Sequence, residues 1–226
     1  MIYLALLLPV ILGFSLVQFT PVVKNSLQLF LSFSGAYLLA ITVMHLIPHV
    51  FESNGEGVGI YILLGILIQT TLEYISKGAE HGHIHAHDFQ SRLPWMLLIS
   101  LSLHAFMEGM PLGLEMNNQL LWAIIIHKLP VAIILAIFLK ESKLSKGYVF
   151  LFLSIFALMS PLGSWAASTF TGLQSYEVEI NAIIIGVFLH ISTAILFESS
   201  ANHKFNLQKF ASILVGFSLG LWLSMH

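Results

Sequence analysis

The sequence predicts an all-α integral membrane protein that crosses the bilayer eight times and has both termini outside. Composition is the first observation: 57% of the 226 residues are hydrophobic and only 9% are charged, against about 25% charged residues in a typical soluble domain. A soluble fold of this size could not remove so much apolar surface from water. The other two observations are the spacing of the apolar runs and the positions of the basic residues.

The apolar runs are each close to the roughly 20 residues that one bilayer crossing needs. The first run has neither a basic leading segment nor a small-residue cleavage site, so we expect a retained helix and not a removed signal peptide. The runs fill the chain as one transmembrane domain, residues 1–226. We predict helices over residues 2–20, 28–50, 58–76, 93–113, 118–139, 147–169, 179–198 and 207–225.

Turn residues mark the breaks between these helices, and the charges of the connections alternate. Basic residues occupy the first, third, fifth and seventh connections, whereas acidic residues occupy the others. The positive-inside rule then places the basic connections in the cytoplasm and both termini outside. The breaks include Pro21 and Asn25, residues 53–55 and residues 172–179. The basic residues of the odd-numbered connections are Lys24, Lys77, Arg92, Lys140, Lys143, Lys146, Lys204 and Lys209, whereas the even-numbered connections have none and contain Glu52, Glu56, Glu115, Glu177 and Glu179.

A short repeat links the second and seventh predicted helices. The first of these ends in Phe51-Glu52-Ser53 and the other in Phe197-Glu198-Ser199. Because the two helices run in opposite directions, the match is the kind that an inverted-topology repeat would leave.

Histidine and glutamate occur where a membrane helix should be apolar. His104 and Glu108 are four residues apart, and thus neighbours on one helix face, while His127 lies on the next helix. Ionisable residues inside membranes are rare and usually functional, and nitrogen and oxygen donors suit a divalent transition metal. Pro130 and Pro111 should each free a backbone carbonyl nearby. The sequence predicts a metal site here, the alternative being a buried His–Glu hydrogen bond between helices.

Two further groups of histidines lie outside this pair of helices. His45 and His49, with Glu52 one turn further on, should face the outside and form a relay that strips water from an ion, the alternative being an interfacial histidine pair. Glu73 is four residues before Lys77, which favours a helix-end ion pair. The cytoplasmic connection 77–92 can capture metal loosely, unless it is only a flexible linker; its histidines are His81, His83, His85 and His87.

The fourth and fifth predicted helices resemble those of the ZIP (Zrt/Irt-like) family of divalent metal transporters. That family shows His-Asn-x-x-Asp/Glu-Gly on the fourth helix and His-Glu-x-Pro-His/Glu on the fifth. The corresponding segments here read His-Ala-Phe-Met-Glu-Gly from His104 and His-Lys-Leu-Pro-Val from His127. The resemblance extends to the eight helices, the histidine-rich connection and the Ser-Pro-Leu-Gly that begins at Ser160. It implies a 3+2+3 arrangement of the helices.

The departures from the family pattern predict a single metal site. Members with two metals have ligands where this chain has Ala105, Lys128 and Ser160, and a further ligand is replaced by Val131. The first site would retain His104, Glu108 and His127, completed by a water, a freed carbonyl or Met107. Lys128 would replace the second ion and pair with Glu108, unless its side chain extends to the membrane surface instead.

The resemblance implies uptake of a divalent metal ion, zinc in the first place, into the cytoplasm. In the family, the second, fourth, fifth and seventh helices line the path, so His190 would be a transient ligand or a proton carrier and Glu198 would lie at the cytoplasmic end. A buried structural histidine is the alternative for His190. We expect a multi-pass protein of the cell membrane, and specifically of a bacterial inner membrane.

Other functions are less well supported by the sequence. An intramembrane zinc-dependent hydrolase would need a general base besides the metal ligands, and a haem protein would need an axial histidine pair. We therefore expect no enzymatic activity. A net charge of −2 without a basic arm gives no reason to expect a nucleic-acid partner. The small residues between Gly216 and Gly220 would permit a homodimer.

Overall fold

The computed structural model describes residues 1–53, 57–76, 78, 95–115, 117–142, 144–197 and 206–225. Within these ranges eight helices are long and apolar enough to cross a membrane, as predicted, and their ends differ from the predicted ones by a few residues. His81, His83, His85, His87 and Glu198 lie outside the described residues. The helices are α1 (Ile2–Phe19), α2 (Asn25–Glu52), α3 (Val58–Ser76), α4 (Trp95–Leu114), α5 (Asn118–Glu141), α6 (Lys146–Thr169), α7 (Glu177–Phe197) and α8 (Leu207–Ser224).

Helix α2 contains a π-helical turn over Thr42–Leu46. Pro48 explains this turn, since proline has no N–H and its ring would clash with the carbonyl four residues earlier in a regular helix. The N–H of Ile47 donates to the carbonyl of Thr42, which is five residues back. His45 lies inside this turn. The direction of its side chain relative to the rest of α2 therefore could not be predicted from regular helical spacing.

Helix α4 is interrupted near its end. One segment ends at Gly109 and a short turn begins at Pro111. We predicted that Pro111 would leave a free carbonyl at Met107, and this is wrong, because the N–H of Met110 donates to the Met107 carbonyl at 3.1 Å. The chain tightens by one residue and satisfies the group that proline would otherwise leave open.

The most extensive helix contacts join α1 to α5, α2 to α8, α3 to α7 and α4 to α6. Glycines permit two of these contacts to be close. A Cβ atom on Gly65 of α3 would overlap the carbonyl oxygen of Ile183 on α7, and one on Gly163 of α6 would overlap the carbonyl oxygen of Phe106 on α4. Small residues of this kind allow helix backbones to approach in a membrane, where no hydrophobic effect drives association.

Two apolar clusters meet along α4 and α5. The start of α5, with Leu120 and Ile124, belongs to a cluster that also includes Leu112 of α4. The second half of α5, with Val131 and Leu135, belongs to a cluster that is packed around Ala105 and Leu101 of α4. His127 and Lys128 therefore lie at the junction of the clusters, as does Glu108. The large apolar side chains of the outer helix faces, such as Leu63 and Val215, are exposed, as a lipid-facing surface requires.

Candidate metal centre

The predicted ligands of α4 and α5 come together in the interior. His104, Glu108 and His127 are at most 2% exposed. The two imidazole rings have centroids 6.2 Å apart and are nearly perpendicular, and His104 Nε2 lies 3.5 Å from Glu108 Oε2. Two imidazoles and one carboxylate, from helices that are consecutive in the chain, thus lie close together in the interior of the bundle.

Lys128 is part of this centre. Its side chain is 1% exposed, which excludes the alternative that it extends to the membrane surface. The ammonium Nζ lies 3.0 Å from Glu108 Oε1, so the predicted ion pair is confirmed. The ammonium also donates to the hydroxyl of Ser160 on α6 and lies 5.0 Å from the centre of the Phe156 ring, within the range of a cation–π interaction.

Ser160 joins α6 to the centre. Its hydroxyl oxygen lies 2.7 Å from Glu108 Oε1 and 2.8 Å from the carbonyl oxygen of Ala105. A hydroxyl has one proton, so it donates to one of these oxygens at a time while accepting from Lys128. The close contact of α4 with α6 therefore also provides a hydrogen-bonding group to Glu108 and Lys128.

The two oxygens of Glu108 have different neighbours. Oε1 is held by Lys128 and Ser160, whereas Oε2 faces His104. With Lys128 protonated and Glu108 ionised, the pair is neutral before any ion arrives. The donor atoms of His104, Glu108 and His127 do not all lie within 4.8 Å of one another. A bound ion would therefore require a rotation of at least one of these side chains.

No contact among the described residues joins the Met107 side chain to the centre. Its side chain is half-buried and packs against the apolar cluster of α2, α5 and α7. Its proposed role as a ligand stays a prediction.

A second group of metal-binding residue types lies where α2 and α4 end and α7 begins. His49 Nε2 lies 3.3 Å from Glu115 Oε2 and 3.8 Å from Glu177 Oε1. His45 and His49 line one cavity with Glu115, whereas Glu52 is exposed and does not belong to the group. From the sequence, the two glutamates were expected only to be acidic residues of the outer connections. Their shared placement on the predicted outer side was the available signal.

His190 pairs with Glu73, for which the sequence predicted an ion pair with Lys77. His190 Nε2 lies 2.5 Å from Glu73 Oε2, and the other ring nitrogen lies 3.4 Å from the Thr70 hydroxyl. Both partners belong to α3, so His190 lies at the contact of α3 with α7 and apart from the α4–α5 centre. Lys77, the predicted partner of Glu73, lies outside the described residues.

Comparison with known proteins identifies relatives among metal transporters. The family model described as "ZIP Zinc transporter" matches residues 76–224. The chain is 31% identical over 160 residues to "Zinc transporter ZIP1" of Danio rerio, covering 64% of this chain and 51% of that protein. It is 26% identical over 156 residues to "Zinc transporter ZIP2" of Homo sapiens, covering 64% of this chain and 50% of that protein, and 31% identical over 179 residues to "Protein zntD" of Dictyostelium discoideum, covering 68% and 26%.

The chain spans about half the length of the ZIP1 relatives that it matches. These relatives are eukaryotic, so they give no support to the bacterial inner membrane that we expected from the sequence. The matched segment includes α4 to α8, and hence every helix that contributes to the buried centre. By its sequence match and its eight apolar helices, the chain is a multi-pass membrane protein that belongs to the ZIP zinc transporter family.

Proposed function

We propose that this protein carries a divalent metal ion, zinc in the first place, across the membrane in which it lies, and that the ion passes through the centre formed by His104, Glu108 and His127. The observation that carries the proposal is the enclosure of two imidazoles and a carboxylate, from facing helices, at the junction of two apolar clusters. Membership of the ZIP family supports metal as the cargo.

The ligand set suits an ion that must leave again. Zinc is held tightly by four protein ligands, whereas three ligands and a water leave one position open for exchange. The centre offers His104, Glu108 and His127. Affinity for such donors follows the Irving–Williams order more than biological need, so the same centre would also bind cobalt or nickel.

Lys128 takes the place that a second ion has in two-metal members of the family. Its ammonium keeps one oxygen of Glu108 occupied and leaves the other for the transported ion. A fixed cation next to the site repels a divalent ion, which weakens binding and favours release. One metal per centre is the expected stoichiometry.

The direction of transport is part of the same proposal. The predicted topology and the resemblance favour uptake through the cell membrane into the cytoplasm, within the single transmembrane domain of residues 1–226. The histidines of the connection 77–92 would receive the ion on the cytoplasmic side, and His190 with Glu73 would lie near that end of the path.

Zinc uptake into proteoliposomes tests the proposal, with Trp122→Phe as the matched control on α5, because Trp122 is on the same helix and exposed. Loss of a residue that only orients a metal ligand typically reduces affinity or activity by about 10–100-fold. Loss of a direct ligand should cost at least as much, so we expect His127→Ala to lose most of the initial uptake rate and the control to retain it. Uptake by His127→Ala at the rate of the unchanged protein would refute passage through this centre.

The hydrolase alternative is not favoured by the structure. A metal-dependent hydrolase needs a carboxylate or another base that is not itself a ligand. Among the described residues, Glu108 is the only acidic side chain that is buried, and it is already bonded to Lys128 and Ser160.

A further inference from the structure

Three side chains from separate parts of the fold converge at one end of the bundle. His49 lies near the end of α2, Glu115 follows α4, and Glu177 begins α7. One donor atom from each lies within 4.8 Å of the other two. Two carboxylates beside one imidazole repel each other unless a positive charge lies between them, and either a metal ion or a proton on His49 would supply that charge.

The cavity beside these side chains contains polar atoms that lack a partner. Asn181 is 2% exposed, and its Oδ1 has no hydrogen-bond partner among the described residues. His45 Nε2 is likewise buried and without such a partner in the described part of the chain. Both residues line the same cavity of about 150 Å³ as His49 and Glu115. Burial of an unpartnered amide oxygen is unfavourable, whereas a cation or its bound water would satisfy it.

Helical spacing explains why Asn181, which lines the cavity, lies close to Glu177. Glu177 and Asn181 are four residues apart at the start of α7, so they lie on one face of that helix. Glu115 closes the last turn of α4 through a bond from its N–H to the carbonyl of Pro111 at 2.9 Å. Glu115 is seven residues beyond Glu108, and its side chain is 55% exposed whereas Glu108 is 2% exposed. The outer group is therefore distinct from the buried centre.

We propose that His49, Glu115 and Glu177 form a second divalent-metal site, with Asn181 and His45 on its inner side. An imidazole among carboxylates selects a transition ion such as zinc over calcium or magnesium, which prefer oxygen ligands alone. The side chains of the three ligands are 38%, 55% and 37% exposed, so an ion can reach them directly from solution.

The charges of the two sites suggest the order in which a transported ion would meet them. This order rests on the proposed function, whereas metal binding by the outer site does not. With a neutral imidazole the outer site carries two negative charges, while the Lys128–Glu108 pair leaves the buried centre neutral. The acidic site would concentrate the ion from dilute solution and present it, partly stripped of water, to the buried one. Metal capture outside and release inside would then use ligand sets of different strength.

Cobalt binding to the purified full chain tests the site, because the visible absorption of Co²⁺ reports its ligands. The double variant Glu115→Gln with Glu177→Gln removes both charges without changing side-chain size. Glu179→Gln is the matched control, since Glu179 also lies in the first turn of α7 but outside the group. His127→Ala removes a ligand of the buried centre, so that binding by this variant reports the outer site.

We expect the double variant to lose one class of bound Co²⁺ and the control to lose none. We also expect the metal concentration for half-maximal uptake to rise about tenfold in the double variant, with little change in maximal rate. This is the pattern expected when a substitution weakens the binding of the ion but does not affect the rate-limiting step. Wild-type Co²⁺ binding by the double variant would overturn the site and leave a protonated His49 as the bridge. If the unchanged protein does not transport zinc, the proposed function fails, while the Co²⁺ binding comparison still decides the outer site.

Discussion

Lys128 places its ammonium 3.0 Å from Glu108 in the interior of the bundle, beside the buried polar side chains of His104, His127 and Ser160. A buried ion pair adds little net stability, but removal of one partner is strongly destabilising because it leaves an uncompensated charge. Lys128 has a second effect besides this ion pair, because it also determines which oxygen of Glu108 faces His104. One side chain thereby affects both the stability of the bundle and the affinity of the centre.

Lys128→Met should make the protein depend on metal for its stability. Without the ammonium, Glu108 keeps a buried charge, and breaking such pairs costs about 3–5 kcal/mol in soluble proteins. We expect the melting temperature of the metal-free variant to fall, and added zinc to raise it more than in the unchanged protein, because the ion replaces the lost charge. Thermal unfolding with and without zinc measures both effects.

Lys140→Met is the control for this prediction. Lys140 is a second lysine of α5, and it donates to the carbonyl of Val17 at 2.7 Å. It has no acidic partner among the residues that the structure describes. Equal responses of the two variants to zinc would show that Lys128 does not act through Glu108.

At the scale of helices, the position of the centre depends on how closely α4 and α6 approach. Gly109 and Gly163 face backbone atoms of the opposite helix, Ser160 and Phe106 respectively. This contact brings the Ser160 hydroxyl to Glu108. The spacing of apolar residues predicted both helices, but it contains no information about which pair of helices would be in contact.

Gly163→Ala should separate α4 from α6. The added Cβ would overlap the carbonyl oxygen of Phe106, and backbone cannot give way as a flexible side chain would, so we expect a loss of about 1–3 kcal/mol, typical of overpacking, together with weaker zinc binding. Gly172→Ala is the matched control, because nothing lies within 4 Å of a Cβ there. Thermal unfolding and zinc titration of the two variants make the comparison, and equal behaviour would contradict the role of this contact.

Across the bundle, the helix contacts have the pattern that an inverted repeat would produce. Exchanging α1 with α6, α2 with α7, α3 with α8 and α4 with α5 converts the four main contacts into one another: α1–α5 into α6–α4, and α2–α8 into α7–α3. The same exchange relates the two Phe-Glu-Ser segments from which we predicted the repeat. The pattern favours that prediction, and the orientation of the chain in the membrane can be tested separately.

Thiol labelling tests the orientation directly, because the chain has no cysteine of its own. Ser53→Cys and Ser175→Cys lie in connections predicted to be outside, and Thr20→Cys and Ser145→Cys in connections predicted to be cytoplasmic. We expect a membrane-impermeant reagent to label the first two in intact cells and the other two only after the membrane is opened. The reverse pattern would invert the topology and the proposed direction of transport.

The number of helices, their approximate ends and three residues of the buried centre, His104, Glu108 and His127, could be predicted from the sequence. These follow from local properties: the length of an apolar run, the four-residue spacing of His104 and Glu108, and the scarcity of charge inside a membrane. The pairing of Lys128 with Glu108 was predicted as well, since both residues had been placed in one centre.

Contacts between residues that are distant in the chain could not be predicted, because they depend on how the helices pack. The pairing of His190 with Glu73, and of His49 with Glu115 and Glu177, depends on which helices are neighbours, and one apolar helix surface is much like another in sequence. The π turn before Pro48 and the satisfied carbonyl of Met107 were missed for a different reason. A proline prevents a regular hydrogen bond, but the neighbouring backbone can restore the lost bond in more than one way, and packing decides between them.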